Sequence, residues 1–315
     1  MQALVSICVP VYNVAPYIER CVHSLMQQTY ENLEYIFVDD CSTDNSVSIL
    51  QNIITEYPKR AGQVRIIHND RNHGLAYTRR VSIEAALGGY ILCVDSDDYI
   101  DRDAAEKLYQ SCPSDCDIVL GTIYGEKNEV SDNSNLIQAL LEDKICHICG
   151  NLIKRSLFSL PSVQYVPEGL NYMEDRTQML YLCGAAKNFK VLHKPIYHYV
   201  RNNISISYSK KEIHFKNMLS FWVLADNYLD KHGLSREYRQ LTNKRKVEDK
   251  VRLLHFCNDV SVCRKYADLF PEIEAQHPTL HLTRGVRLTR FLTHHHLWIL
   301  LYFYKKYVKF SLLFA

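Results

Sequence analysis

The run Ile91-Leu92-Cys93-Val94-Asp95-Ser96-Asp97-Asp98-Tyr99-Ile100 follows a Gly88-Gly89 breaker and switches abruptly from apolar to acidic. An apolar run of strand length predicts a strand inside a sheet. Three carboxylates within four positions then emerge together at its carboxyl end. In open α/β sheets that edge is where ligands bind. Carboxylates so close repel one another unless a cation or a metal–polyphosphate complex sits between them. Asp95 and Asp97 therefore form a candidate site for a hard divalent ion, with oxygen ligands at about 2.0–2.6 Å. The alternative is a polar strand-to-helix turn with Asp101 as N-cap.

Upstream, Val5 to Val9 is a β-rich run closed by Pro10-Val11-Tyr12-Asn13. Pro16 suits the first turn of a helix with Ile18, Val22 and Leu25 on its apolar face. Tyr35-Ile36-Phe37-Val38 predicts a second strand, which also ends in acids, Asp39 and Asp40. Ser42, Thr43 and Asp44 offer N-caps to a helix carrying Val47, Leu50 and Ile54. Val64 to Ile67 predicts a third strand, followed by Asn69-Asp70-Arg71-Asn72-His73-Gly74 and a helix with Leu75, Val81 and Ala85. This alternation specifies βαβ units, an α/β fold and a mostly parallel sheet with two acid-tipped strands on one edge. Neither G-x-G-x-x-G nor G-x-x-x-x-G-K-[ST] occurs anywhere. A nucleotide bound here would need side chains and a metal to hold its phosphates, in place of a glycine-rich loop.

With 315 residues of ordinary composition, the chain has room for one large domain or two small ones, which excludes disordered and fibrous classes. The formal net charge is +2, but after Glu274 there are only cations: Arg284, Arg287, Arg290, Lys305, Lys306 and Lys309. Taking those six from +2 leaves −4 on the preceding part, so a basic tail follows a mildly acidic body. No signal peptide is apparent at the N-terminus. Eleven scattered cysteines fit buried thiols in a reducing compartment better than a zinc site built from Cys112, Cys116, Cys146 and Cys149.

After Ser207 the strand alternation stops. Phe215, Met218, Leu219, Trp222, Ala225 and Leu229 recur at helical spacing up to Gly233, and Lys244–Phe256 also reads as helix. The apolar run Leu297–Tyr304 is far shorter than the ~20 residues a spanning helix needs. With its lysines and no acids, residues 284–315 fit a helix lying on an anionic membrane surface. A helix packed on the catalytic domain is the alternative. His294-His295-His296 makes a poor metal site, because consecutive helical residues point to different faces.

Six stretches in order carry a family resemblance: Val5–Asn13, Ser24–Thr29, Val38–Asp44, Asn72–Arg79, Asp95–Asp98 and Met173–Arg176. Over about Val5 to Ser207 the chain resembles the family 2 glycosyltransferases, inverting GT-A enzymes that use nucleotide sugars in bacterial surface polysaccharide synthesis. The resemblance implies a GT-A catalytic domain over residues 1–208, a helical extension over 209–315, and Mn2+ or Mg2+ as cofactor. It implies that Pro10 and Tyr12 line the nucleoside pocket, Tyr12 by stacking on the base. Asp40, with Asp39 beside it, would accept from the base's imide N–H, and Asn72, Gly74 and Arg79 would lie near the diphosphate or sugar. Asp95 would face ribose and metal, Asp97 would bind the metal directly, and Asp175 would be the catalytic base with Glu174 as neighbour.

The family's ARN-like triplet is Thr78-Arg79-Arg80 here, which puts the role of Arg79 in question. The Q-x-x-R-W element of processive relatives is absent, since no Trp follows Arg201, so a single-addition enzyme is expected. A half-buried strand-end Tyr12, a first-turn acidic cluster at Glu174 and Asp175, and a His198 capped by a backbone carbonyl are the plainer readings of those residues. The expected partners are a nucleotide sugar, of UDP by family habit, and a saccharide or lipid-linked acceptor, with no nucleic acid. The expected place is cytoplasmic, peripheral on the inner face of the cytoplasmic membrane. Rival readings are a sugar nucleotidyltransferase, which would carry a Gly-rich basic loop where Pro10–Asn13 stands, and a catalytically inactive scaffold.

Overall fold

β1 (Val5–Val11) and β2 (Leu33–Asp39) are buried at every position, as strands covered on both faces must be. They pair in parallel, and β1 pairs in parallel with β4 (Tyr90–Cys93) on its other side. This computed structural model describes residues 2–112, 116–126, 128–200, 212–276 and 284–311. The chain divides into two compact units, Met1–Arg201 and Asn202–Ala315. The expected boundary at 208/209, and Arg201 itself, lie outside the described residues.

In the first unit the remaining elements are α1 (Ile18–Met26), α2 (Ser46–Glu56), α3 (Pro58–Ala61), β3 (Val64–His68), α4 (Leu75–Ala85), β5 (Tyr99–Ile100), α5 (Ala104–Gln110), β6 (Ile118–Ile123), α6 (Leu136–Leu141), β7 (Leu152–Lys154), α7 (Glu174–Ala185) and β8 (Phe189–His198). The sheet order is β3-β2-β1-β4-β7-β6-β8-β5. β3, β2, β1 and β4 are mutually parallel, so the carboxyl ends of β2 and β4 lie on one edge. β7 runs antiparallel to both β4 and β6 and joins the parallel half to the rest of the sheet.

Two helices bury a different face from the one their apolar spacing predicts. α2 buries Ser46, Leu50 and Ile53 while Val47 and Ile54 are only part-buried; the Ser46 hydroxyl donates to the Asp44 carboxylate and accepts from the Val14 N–H at 2.8 Å. α4 buries Ala76, Thr78, Arg79, Ser82 and Ile83, whereas Leu75, Val81 and Ala85 are only part-buried. There the buried Arg79 turns to meet Asp95, Glu174 and Asp175.

The acidic turn also departs from its simplest reading. Asp101 caps no helix; its carboxylate accepts from the Tyr124 hydroxyl at 3.0 Å and lies 2.8 Å from His198 Nε2. His198 is stacked between Tyr99 and Tyr124, with centroids 4.1 and 4.0 Å away, so a carboxylate rather than a backbone carbonyl holds its ring. All eleven cysteines are free thiols, most of them buried, with Cys41 exposed. No cluster of three or more metal-ligating side chains stands ready among the described residues, at the Cys-x-x-Cys or at His294–His296.

In the second unit α8 (Glu212–Lys231) buries Phe215, Met218, Trp222, Ala225 and Leu229, and Gly233 follows at φ +70°, the conformation that ends a helix. The other helices are α9 (Ser235–Phe256), α10 (Val260–Tyr266), α11 (Pro271–Gln276), α12 (Arg284–His294) and α13 (Trp298–Ser311). None is long and apolar enough to cross a membrane. Lys305 is no part of a solvated basic surface: it is buried, and its ammonium donates to the carbonyls of Leu254 and His255 at 2.6 and 2.9 Å. A cation there meets the negative end of the α9 dipole.

Candidate active site

Four segments meet at the carboxyl edge of the parallel strands. The ends of β1 and β2 are stitched together by short bonds: the Asp40 N–H donates to Val11 O at 2.9 Å, and the Asn13 side chain accepts from Thr43 N–H at 2.8 Å. Pro10 is a buried strand residue beside Val38, while Tyr12 at the tip is 46% exposed and presents its ring to solvent.

Asp39 and Asp40 are both buried and both held by donors. Asp39 accepts from Ser42 N–H at 3.0 Å and lies 3.1 Å from His68 Nδ1. Asp40 accepts from Asn69 Nδ2 (2.7 Å) and from the backbone N–H groups of His73 (2.9 Å) and Gly74 (2.7 Å). A carboxylate has about four acceptor positions, so these three leave room for one more donor. Asp40 thus ties the loop after β3 to the end of β2. Gly74 opens α4 at φ +89°, and a Cβ there would meet the Asn171 side chain at 2.6 Å, so the turn needs glycine. Asn72 sits exposed on the same loop.

The acidic turn after β4 is anchored by a residue that composition did not flag. The Tyr197 hydroxyl, at the end of β8, accepts from the Asp95 N–H at 3.2 Å and donates to the Asp98 carboxylate at 2.7 Å. Asp98 also accepts from Val200 N–H at 2.8 Å. Burial and the charges of Asp95 and Asp97 push Asp98 up to about 7, against those hydrogen bonds. Asp98 therefore faces inward as the turn's anchor, while Asp95 and Asp97 stay part-exposed at the edge. Gly150 packs against the Tyr197 ring at φ +76°, where a Cβ would meet Cδ2 at 3.1 Å.

Glu174 and Asp175 form the first turn of α7, where the helix dipole favours acids. Arg79 comes to them from α4. One terminal nitrogen lies 2.5 Å from Asp175 Oδ1 and 3.9 Å from Glu174 Oε1, and the other lies 3.1 Å from Asp95 Oδ1. The Arg79 side chain is only 5% exposed. Ile148 N–H reaches the second oxygen of Asp175 at 3.4 Å. Burial raises the Asp175 carboxyl above its ordinary value, with Arg79 pulling it back. Burial and the neighbouring Asp175 push Glu174 up to about 8. Two acids thus share one guanidinium, itself shared with a third.

Of the residues expected at the site, Asp95, Arg79, Glu174 and Asp175 come together in one cluster. Asp39, Asp40 and Gly74 form a second at the end of β2, with Pro10 on the adjoining strand and Asn72 on the loop that Asp40 holds. Tyr197 and the Ile148 N–H were missed. The signal for Tyr197 was the third acid, Asp98, which needed a buried donor; nothing local marks a backbone amide.

Asp95 and Asp97 suit a divalent ion in their chemistry. Mg2+ and Mn2+ are commonly held by one or two carboxylates, with substrate phosphates and waters completing the shell. Two part-exposed carboxylates on one turn fit that donor set.

Comparison with known proteins is consistent with this geometry. The sequence profile of glycosyl transferase family 2 matches residues 6–194. The chain is 30% identical over 252 residues to the putative glycosyltransferase EpsH of Bacillus subtilis, covering 75% of this chain and 72% of EpsH. It is 39% identical over 125 residues to the glycosyltransferase GlyG of Streptococcus pneumoniae, a match spanning 39% of this chain and only 40% of that relative. The crystal structure of S. aureus TarS 1-349 in complex with UDP-GlcNAc superimposes with a TM-score of 0.59 at 21% identity, over 93% of this chain and 92% of that one. The fold is therefore that of the GT-A glycosyltransferases. At the level of family, the chain belongs to glycosyl transferase family 2.

Proposed function

We propose that this chain is an inverting, non-processive glycosyltransferase that moves a sugar from a nucleotide diphosphate donor, a UDP sugar, to a hydroxyl of a saccharide or lipid-linked acceptor. One observation carries the reading: Asp175, on the first turn of α7, is joined through Arg79 to Asp95 on the acidic turn. A candidate base and a candidate donor-side acid are thus parts of one cluster.

Tyr12 stacks on the base and the remaining acceptor position of Asp40 takes its imide N–H. Asp97 and Asp95 would hold Mn2+ or Mg2+, which would offset the charge growing on the departing diphosphate. Asp175 takes the proton of the acceptor hydroxyl as that oxygen attacks the anomeric carbon from the face opposite the leaving group. A carboxylate near pKa 4 is a weak base, and the raised value of Asp175 moves it toward the range where proton transfer is efficient. Support for a UDP sugar comes from the fold shared with TarS, which is seen with UDP-GlcNAc.

The test is transfer from a panel of UDP, GDP and dTDP sugars, with Mn2+, Mg2+ or EDTA, alongside thermal shift with the same nucleotides. A sugar nucleotide that stabilises the protein only with metal, and is then consumed, supports the reading. Full metal-stimulated transfer by Asp97→Ala would contradict the metal assignment.

A peripheral membrane role for residues 284–315 belongs to the same proposal. Phe291 on α12 and Ile299, Leu300 and Phe303 on α13 are all more than half exposed. Lys306 lies beside them, 4.7 Å from the Tyr302 ring, and no acid follows Glu274. That chemistry fits an anionic leaflet. Flotation with anionic vesicles, lost in Ile299→Asp/Phe303→Asp, tests it; equal flotation of the variant refutes it.

A further inference from the structure

We propose that Arg79 is the positioning residue of the site: its guanidinium sets the Asp175 carboxylate and locks it to Asp95, so that base and donor-side acid are held as one unit. This rests on the glycosyl-transfer reading and assigns Arg79 a different part from diphosphate binding.

The guanidinium makes its bonds through its two terminal nitrogens, one to Asp175 and one to Asp95, in a planar fork that fixes both directions together. Its Nε is buried and has no acceptor among the described residues; besides the acids, the nitrogen that meets Asp95 donates weakly to Cys149 Sγ at 3.9 Å. With the side chain 5% exposed, a diphosphate could reach it only by displacing one of those acids. α4 turns this arginine inward at the expense of a more apolar face, a cost that an arginine serving as a surface phosphate ligand would not demand. Asp175 has the Ile148 N–H on its far oxygen, so the carboxylate is gripped at both oxygens and its plane is set. Misplacing a catalytic group by about an ångström costs on the order of a hundredfold in rate.

Lysine keeps the charge but offers a single point in place of a fork, so Arg79→Lys separates position from charge. The expected result is a kcat lowered at least thirtyfold at saturating donor, with donor KM and calorimetric nucleotide affinity changed less than threefold. A merely structural arginine would lower the melting temperature and leave kcat of the folded fraction intact. A diphosphate ligand would shift donor KM and nucleotide affinity and spare kcat. Either outcome overturns the proposal. A second measurement needs no activity: melting temperatures of wild type, Arg79→Lys, Asp175→Asn and the double variant should be non-additive, because the pair shares one bond. Additive shifts refute the pairing. If wild-type protein transfers from no donor in the panel, the functional reading fails, and the thermal cycle still decides the pairing.

Discussion

Two acid pairs lie at element ends of the first unit, and the protein treats them oppositely. Asp39 and Asp40 end β2 among N–H donors, so their charge is met by fixed dipoles. Glu174 and Asp175 begin α7 part-buried, with one guanidinium shared three ways. A carboxylate surrounded by donors is a clasp, here closing the loop before α4 onto the sheet. A carboxylate under-supplied with donors keeps a raised pKa and an unspent capacity to take a proton, which is what a general base requires. The same residue types thus do structural work in one place and, in the proposed reaction, are left for chemistry in the other.

The comparison breaks most sharply at Asp175. Asp175→Asn keeps the shape and removes the proposed base, and should lower kcat of the folded protein by roughly a thousandfold. Steady-state transfer checks this, and a variant retaining a tenth of the rate would move the base elsewhere. At the clasp the expected effect is on stability. Asp40→Ala strands two backbone N–H groups and the Asn69 amide, at about 2–4 kcal/mol in urea unfolding; a cost under ~1 kcal/mol would show that water replaces it freely.

A third test uses pH. Glu174 holds its proton more tightly in the folded chain, at about 8 against 4.5. Its contribution to stability is therefore complete below about 4.5 and is lost as pH rises toward 8. Glu174→Gln should flatten the stability–pH curve across that window and be more stable than wild type at its upper end; parallel curves would show that Glu174 carries no burial penalty. The smallest effect is at Tyr12, whose exposed ring supports nothing in the core. Tyr12→Ala should leave stability within about 0.5 kcal/mol and weaken nucleotide binding roughly tenfold by loss of the proposed stacking, measured by calorimetry.

Much of this was legible locally. The four parallel strands, their order of appearance and the shared acid-tipped edge follow from apolar runs bounded by acids and glycines. Helix rotation was less legible. Apolar spacing put Val81 on the buried face of α4, but the acids brought by β4 and α7 outweighed it and drew Arg79 inside. Lys305 was read as part of a basic surface and is instead spent on the end of α9.

Residue pattern alone determined that Asp39–Asp40 and Asp95–Asp97 end two parallel strands on one sheet edge, because strand burial and βαβ handedness act over short stretches of chain. Only the tertiary structure decided which acids are clasped and which are left under-compensated. Asp40 depends on amides 33 and 34 positions away, Asp95 and Asp98 on a tyrosine about 100 away, and Asp175 on an arginine 96 away. The charge state of a buried carboxylate is set by every donor packed around it, and those donors arrive from elements whose meeting no local spacing records.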